Sequence, residues 1–452
     1  MKPPVRRARQ RRYLTGIDWI VAAMDRATRR STGGSNASQI VIELDAPPDA
    51  RRFSDGVAAL AGRLPVVGGR PARAWNLAPY WRIPRRSADV PVESIRVEGT
   101  DEGPALTALA NAPVGGRGSC LAFGLVTTAD GRGFVAMRFD HRLFDAQGAE
   151  LFLDLLRRKL DGEDVDDALA GISLSEPSHL NAWRRRYETG RLFMREVRAL
   201  RSVAPVVFPR PTPLRGRAFR FRRMTFDADA TAAIRARADR EAGFLMFMPY
   251  VAAAAAGALH TVARGRALPG EEYVVSVSVG QRPLDAMQAE VFFNRLSFLL
   301  FRLPAGALDD RAALLGAIRG QMYEQVKSGF AAAAAESSML MRIVPLSLFS
   351  RMLLWPMRGE FASFAFSCLQ DGALSAERFT VHGVRNVVHM PLIPVPPGLG
   401  LVAHRFRDRM TATLCHLDGV LDEAEAATVE AEFRARLQGA AGRPEGEAHD
   451  AG

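Results

Sequence analysis

Residues 133–160 change hydrophobic period partway along, and this change constrains the fold of the chain more than any other feature. From residue 133 to 139 apolar residues alternate as on a strand, and His141 shares the parity of the apolar positions. After Gly148 the apolar residues recur at helical spacing, at Ala149, Phe152, Leu153, Leu156 and Leu160. The sequence therefore predicts a strand-to-helix junction with an inward-facing imidazole, followed four residues later by Asp145.

A histidine followed four residues later by an aspartate fits a general-base site, but this spacing alone is weak evidence. His404 and Asp408 have the same spacing. They fall between two alternating runs, residues 399–406 and 410–417, which predict a β-hairpin with both side chains near solvent. Context therefore favours His141 as the candidate base.

Three other parts of the chain combine strands, helices and turns in an order that is recognisable together with the junction. They are a strand and helix over 38–70; two helices over 231–262 that lead to a strand at 273–279, the turn Gly280–Pro283 and the segment 293–298; and the segment 383–388, followed by 397–400 and a hairpin. Together with residues 139–148, they resemble the HHxxxDG template of the chloramphenicol-acetyltransferase-like superfamily. That superfamily includes plant-type acyl-CoA transferases, wax ester/diacylglycerol synthases and peptide-synthetase condensation domains. The resemblance covers about residues 38–438.

The resemblance implies an α/β (α+β) fold, a two-lobed sandwich of mixed sheets flanked by helices with a tunnel between the lobes. A chain of 452 residues is long enough for two lobes. The resemblance and the changes in composition along the chain together predict five segments. They are a basic, partly flexible N-terminal arm (1–37), an N-terminal lobe (38–170), an inter-lobe connection (171–215), a C-terminal lobe (216–438) and a disordered tail (439–452).

The resemblance also implies roles for individual residues. The second histidine of the template, which is the catalytic one in the family, falls on His141. The template's aspartate falls on Asp145, and its arginine partner after a second-lobe strand falls on Arg282. We therefore expect a structural salt bridge between Asp145 and Arg282 that holds His141 in place. Asn294 and Ser297 match a segment beside the tunnel and are weaker candidates for substrate or oxyanion binding.

Two positions depart from the template. Asp140 stands where the family has its first histidine, and Ala146 stands where it has a glycine after the aspartate. The first change leaves the base itself in place, and the second removes some backbone freedom. Both changes keep open a catalytically inactive member of the fold.

The leading functional prediction is an acyltransferase that moves an acyl group from an acyl-CoA or carrier-protein thioester to a hydroxyl or amine. The co-substrate would be a thioester of coenzyme A or phosphopantetheine, with no permanently bound cofactor. The partner would be a small-molecule acceptor, with an acyl carrier protein and peripheral membrane contact as further options. Two alternatives stay open: an amide-forming condensation-type domain, and an inactive binding or scaffold protein.

The net charge is +11, and only three of the 60 basic residues are lysines. A GC-rich genome accounts for the bias toward arginine, while the functional alternative is attraction of coenzyme A phosphates, an acidic carrier or an anionic membrane. We expect no nucleic-acid partner, because no binding module accompanies the charge.

Three scattered cysteines, Cys120, Cys368 and Cys415, fit neither a zinc motif nor a disulfide framework and predict a reducing, cytoplasmic location. No secretory signal is expected after the basic residues 2–12. We also expect no metal, because the remaining histidines lack metal-ligand spacing; they are His179, His260, His382, His389, His416 and His449.

Two apolar stretches are too interrupted to be predicted as membrane spans. Residues 244–263 contain Pro249 and suit a buried helix. Residues 338–357 contain Arg342 and Arg351, and they fit core-packing helices or an amphipathic flap near a lipophilic substrate or a bilayer.

Overall fold

Strands form where β-branched and aromatic residues alternate or run together, and helices form where apolar residues recur every three to four positions. The computed structural model describes residues 11–114, 118–174, 183–199, 204–282, 289–369 and 372–439. The elements of its first half are β1 Arg11–Tyr13, α1 Gly16–Thr32, β2 Ala37–Leu44, α2 Ala50–Arg63, β3 Arg70–Arg73, β4 Pro79–Arg82, β5 Val92–Arg96, α3 Gly103–Asn111, β6 Leu121–Thr127, β7 Gly133–Asp140, α4 Ala146–Leu160, α5 Asp166–Gly171 and α6 Trp183–Ala199.

The second half continues with a similar mixture of strands and helices. Its elements are β8 Phe219–Phe226, α7 Ala228–Glu241, α8 Phe247–Gly265, β9 Glu272–Gly280, β10 Leu296–Pro304, α9 Arg311–Lys327, α10 Phe330–Met341, α11 Leu346–Leu354, β11 Phe364–Leu369, β12 Arg378–Phe379, β13 His382–Pro391, β14 Leu399–Phe406, β15 Arg409–Leu417 and α12 Glu423–Gln438. The mixed, two-lobed α/β prediction is confirmed.

The first large sheet has six strands in the order β12-β13-β2-β7-β6-β5. Its centre is antiparallel, with Ile42 of β2 opposite Val135 of β7. On the other side of β2 lies β13, with Val388 opposite Val41. The predicted C-terminal lobe over 216–438 therefore contributes two strands, β12 and β13, to the sheet that also holds the strands of the predicted N-terminal lobe.

The second large sheet has the order β10-β9-β11-β14-β15-β8. The short strand β11 pairs in parallel with both β9 and β14, which makes this sheet mixed. β14 and β15 form the predicted hairpin, in which Phe406 is opposite Arg409. The turn starts only at Arg407, which has a positive φ of 56°.

Residues 11–32 form ordered structure, which corrects the expectation of a partly flexible arm reaching residue 37. β1 pairs with β4 in a small three-stranded sheet. α1 begins at a capping box made by Thr15 and Asp18, and the first two turns of the helix are buried on all sides. Asp18 also forms a buried ion pair with Arg12 at 2.6 Å. Apolar burial and capping together hold this segment against the rest of the protein, and residues 1–10 lie outside the described residues.

The apolar stretch 244–263 becomes α8, which is buried along most of its length, as predicted. The stretch 338–357 contributes to α10 and α11. α11 packs Phe349 inward and leaves Leu348 and Met352 half exposed, so it is amphipathic rather than wholly internal. Within the described part of the chain, no helix combines the length and apolar character needed to cross a bilayer.

The predicted inter-lobe connection contains α6, a helix rich in arginine. α12 closes the described chain and begins at a capping box between Asp422 and Glu425. The tail from residue 440 onward lies outside the described residues.

Candidate active site

The strand-to-helix junction is present as the sequence predicts. Every residue of β7 is buried, and His141 follows directly after its last residue. Asp145 is the N-cap of α4, where its side chain accepts a hydrogen bond from the Gly148 backbone N–H at 2.8 Å. A buried strand and a capped helix therefore fix both ends of the loop that carries the imidazole.

His141 lies on the wall of a cavity of about 200 Å³ between the two large sheets. Its Nδ1 atom is buried and has no hydrogen-bond partner among the described residues. Its backbone is held from two sides: the N–H donates to the Asn36 carbonyl at 3.3 Å, and the carbonyl accepts from Asn294 Nδ2 at 3.0 Å. The main chain thus positions the ring, while the ring nitrogens are left available for other groups.

The cavity is built from both halves of the chain and is mainly apolar. Helix α1, the β7–α4 loop, the strands β9 to β11 and the β13–β14 connection all contribute to its wall. The apolar lining includes Val21, Met24, Phe139, Phe298, Phe361 and Ile393. Such a lining suits an acyl chain or another apolar group more than a highly charged one.

The expected ion pair between Asp145 and Arg282 is present. Arg282 Nη1 lies 2.7 Å from Asp145 Oδ2, and both side chains are almost completely buried. The same carboxylate oxygen accepts the Arg295 backbone N–H at 2.9 Å, and Arg282 Nε donates to the Glu290 carbonyl at 3.0 Å. Asp145 thus joins the loop of His141 to the segment after β9. The role of this pair in holding His141 stays a prediction.

Asp140, at the position of the family's first histidine, forms a local ion pair. Arg142 Nε donates to both carboxylate oxygens, at 2.9 and 3.0 Å, and the Arg142 backbone N–H donates to Oδ1 at 2.9 Å. Arg142 also lies 3.4 Å from buried Asp25 of α1. Burial alone would raise the pKa of Asp140, but the adjacent Arg142 guanidinium lowers it below its ordinary value. The aspartate therefore stabilises the turn around His141.

We expect Asp140→Asn to lower the free energy of unfolding by about 1.5–3 kcal/mol at neutral pH, because a charged hydrogen-bond acceptor is lost. Since the pKa of Asp140 is depressed in the folded protein, its contribution is present above the unfolded pKa of about 3.9 and is lost as the pH falls through the folded value. Urea unfolding from neutral to acidic pH should show the wild type and variant converging on the acid side. A difference in the free energy of unfolding between the wild type and the variant that is the same at every pH would contradict this prediction.

Gly148 faces a crowded part of the junction. A Cβ at this position would stand 2.3 Å from the Val291 carbonyl oxygen and 2.8 Å from Arg282 Nη2. Ala146, by contrast, is the first residue of α4, so the template's glycine is not needed there for the helix to start. Close packing against Val291 and Arg282 therefore requires a glycine at position 148.

Gly148→Ala is expected to destabilise the protein by about 1–3 kcal/mol, because the added methyl group has no space. Gly316→Ala is the matched control: it lies inside α9, and its Cβ would meet nothing within 4 Å. The control should be neutral or stabilising by up to about 1 kcal/mol. The stabilities of Gly148→Ala and Gly316→Ala are measured by urea denaturation, and equal unfolding midpoints for the two variants would contradict the packing argument.

Asn294 and Ser297 do not line the cavity. Asn294 is buried behind the loop, where its backbone N–H donates to Asp18 Oδ1 at 3.1 Å. Ser297 Oγ donates to the Ala331 carbonyl at 2.6 Å. The geometry therefore gives both residues partners inside the protein and does not support the expected contact with substrate.

The expectation that His404 lies near solvent is wrong: only 2% of the residue is exposed. His404 lies inside β14, which is paired on both sides, and the hairpin turn begins later than the alternating pattern suggested. Asp408, at the turn, is exposed. His404 instead faces Glu150 of α4, at 3.2 Å, and His389 of β13 approaches the same carboxylate at 2.7 Å.

The cluster of Glu150, His389 and His404 was missed because its members are far apart in sequence. Burial raises the pKa of Glu150, but the two imidazoles outweigh this and hold it below its ordinary value. Burial also lowers the pKa of His389. His389 lines the same cavity as His141. The sequence could have signalled this cluster only through the buried positions of Glu150 and the two histidines on apolar strand faces.

The three cysteines are in places that suit packing. Burial raises the pKa of all three thiols, that of Cys368 to about 12. None of them lines the cavity. They are therefore protonated and inert at neutral pH.

No family model matches the chain, and no curated protein matches it. The first condensation domain of the calcium-dependent antibiotic synthetase, in complex with a substrate analogue, has a TM-score of 0.65 at 16% identity, covering 95% of this chain and 96% of that one. TRI3, the trichothecene 15-O-acetyltransferase from Fusarium sporotrichioides, has a TM-score of 0.66 at 13% identity, covering 94% and 95%.

A third similar structure, a complex of the X-domain and OxyB from teicoplanin biosynthesis, has a TM-score of 0.58 at 12% identity and covers 95% of this chain and 93% of that one. At these identities the likeness concerns the fold. The chain therefore has the two-lobed fold of these condensation-domain and acetyltransferase structures, the fold that was expected from the sequence.

Proposed function

We propose that the protein is an acyltransferase that moves an acyl group from a thioester donor to a hydroxyl or amine acceptor, with His141 as the general base. The observation that carries this proposal is the position of His141 on an apolar cavity between the two sheets. The fold is shared with an acetyltransferase and with condensation domains. A neutral imidazole is the side chain best suited to accept a proton at about neutral pH.

In the proposed reaction, His141 accepts the proton from the acceptor hydroxyl or amine as its oxygen or nitrogen attacks the thioester carbonyl carbon. The resulting tetrahedral intermediate carries the negative charge on the former carbonyl oxygen. When this intermediate collapses, the C–S bond breaks and the departing thiolate takes the proton from the imidazolium. The products are an ester or amide and a free thiol, and His141 returns to its neutral form.

The donor is proposed to be a thioester of coenzyme A or of a carrier protein's phosphopantetheine. The apolar cavity wall supports an acyl group of hydrocarbon character. The positive net charge of +11 favours approach of an anionic donor or an acidic carrier protein.

A condensation-type, amide-forming reaction is the second candidate. It is favoured by the condensation domain among the similar structures. It would use the same base and cavity but would take both substrates from carrier proteins. The two candidates differ in the acceptor, which is a free small molecule in the first and carrier-bound in the second.

A catalytically silent binding protein is the remaining alternative. One similar structure is a complex of an X-domain with the protein OxyB, which supports a protein-binding role for this fold. Against it, Asp140 has a charged partner and Ala146 starts a helix, so neither departure from the template disrupts the loop of His141. The cavity also reaches His141.

The test is thiol release from a panel of acyl-CoA thioesters of increasing chain length, with and without mixed alcohol and amine acceptors. Acceptor-dependent release is the expected result, and the chain-length profile measures the donor pocket. The same acyl groups on a phosphopantetheinylated carrier protein form the second arm. Transfer only from the carrier would identify a carrier-protein donor, which both candidates allow, and transfer only to an amine that is itself carrier-bound would favour the condensation-type reaction. No transfer from either donor would overturn the proposal and favour the binding protein.

A further inference from the structure

A second group of polar side chains lies at the junction of the lobes, apart from the loop of His141. Glu150 is on α4, His389 is on β13 of the first large sheet, and His404 is on β14 of the second. All three residues are at least nine-tenths buried. One ligand atom from each lies within 4.8 Å of the other two. Three separate elements, including one strand from each sheet, thus converge on one point.

Hydrogen bonding within the described residues satisfies this group only in part. His389 Nε2 lies 2.7 Å from Glu150 Oε1, which is a hydrogen bond. His404 Nε2 lies 3.2 Å from the same oxygen but without hydrogen-bond geometry, and both ring nitrogens of His404 are buried without a partner in the described structure. A buried polar group without a partner is unfavourable, so a ligand that binds His404 Nε2 in the space between the three side chains would stabilise the cluster.

The chemistry of the three side chains suits a divalent transition-metal ion. Two imidazole nitrogens and one carboxylate oxygen form a donor set used for Zn²⁺, which takes ligands at about 2.0–2.2 Å in a tetrahedral arrangement. Ligand atoms in such a site lie about 3.3–3.5 Å apart. The pair at 3.2 Å falls short of this spacing by about 0.1 Å, and the pair at 2.7 Å would need to open by about 0.6–0.8 Å.

The surroundings of the cluster support a ligand role. The Leu374 backbone N–H donates to Glu150 Oε2 at 3.2 Å and so orients the carboxylate with Oε1 toward the histidines. Gly372 passes close by: a Cβ there would stand 3.2 Å from Glu150 Oε1 and 3.1 Å from His404 Nε2. A side chain at this position would fill the space beside the two ligand atoms.

We propose that Glu150, His389 and His404 bind one divalent transition-metal ion, with Zn²⁺ as the ion tested. The ion would join α4 to one strand of each large sheet and would occupy the wall of the cavity on the side of His389. This inference does not depend on the acyltransferase proposal, because its test measures metal binding and thermal stability. It revises the expectation of no metal, which rested on local sequence spacing.

The experiment uses the full-length chain without a polyhistidine tag. The protein is treated with a chelator, dialysed, loaded with Zn²⁺ and freed of excess ion, and its zinc content is measured by mass spectrometry. Zinc affinity is measured by calorimetry, and Co²⁺ is added in parallel because its visible absorption reports the coordination geometry. The variants are His404→Ala and Glu150→Gln, and the control is His382→Ala, a histidine outside the cluster.

We expect one zinc per chain in the wild type and in His382→Ala. Replacing a residue that only contacts a metal ligand typically lowers metal affinity by about 10–100-fold, and both cluster variants should lose more than that because they remove a ligand. Zinc should also raise the melting temperature of the wild type and not that of the variants. Zinc-free wild type after loading, or equal zinc in wild type and His404→Ala, would overturn the proposal. If both cluster variants fail to fold, the test rests on the wild-type protein. A wild-type melting temperature that neither chelator nor zinc changes would also overturn the metal-site proposal.

Discussion

Replacing His141 with alanine is expected to reduce kcat/KM for acyl transfer by about 10²–10⁴-fold, the contribution typical of a positioned general base. The histidine lies on the cavity wall, with its backbone held by Asn36 and Asn294. No side-chain hydrogen bond of its Nδ1 atom is lost, since that atom has no partner in the described structure. Activity should therefore fall while the melting temperature changes little.

The measurement is thiol release under conditions where the wild type is active, together with thermal unfolding of each variant. His382→Ala is the control, because His382 is on β13 but does not line the cavity. It should retain activity within about twofold of the wild type. Acyl transfer by His141→Ala at the wild-type rate would exclude His141 as the base, even if the protein proved to be an acyltransferase.

Replacing Arg282 with methionine is expected to lower the free energy of unfolding by about 3–5 kcal/mol, because it leaves the buried carboxylate of Asp145 without its charged partner. The backbone N–H groups of Gly148 and Arg295 still donate to this carboxylate, so it retains part of its stabilisation. The comparison is made by urea unfolding at neutral pH, where the carboxylate is charged.

A solvent-exposed ion pair provides the matched control for Arg282→Met. Arg63 and Asp166 are 2.8 Å apart, but their side chains are 56% and 58% exposed. Arg63→Met should therefore cost less than about 1 kcal/mol. If the two arginine variants lost equal stability, the buried pair would not be a principal support of the junction. If Arg282→Met were destabilised but fully active when folded, the predicted role of the pair in positioning His141 would be wrong.

Local patterns predicted the parts of the site that are contiguous in sequence. The alternation before His141 and the helical period after Gly148 correspond to β7 and α4. These patterns are readable because a strand and a helix impose different periods on the residues they bury. The pairing of Asp145 with Arg282 came from the family resemblance, since no local pattern connects two residues 137 positions apart.

The sequence predictions that proved wrong concern residues whose burial depends on contacts with distant segments of the chain. The segment around α1 looked like a polar arm because it is rich in arginine, yet Arg12 and Asp18 neutralise each other in the interior. His404 looked like a residue of the hairpin turn because the segment 404–408 joins two alternating runs, although the strand continues past His404 to Phe406. A charge or an imidazole is recognisable as buried only when the partner that compensates it is known.

The amino-acid sequence by itself determined the strand-to-helix junction, the imidazole that it presents and the helix cap that ends the loop, because these features depend on neighbours within a few residues. Only the tertiary structure decided that β13 crosses into the first large sheet and that α1 lines the cavity. It also brought Glu150, His389 and His404 together, although Glu150 and His389 are 239 positions apart in the sequence. Side chains from distant segments meet only when the burial of both sheets fixes their relative positions, and no periodicity in the chain records that meeting.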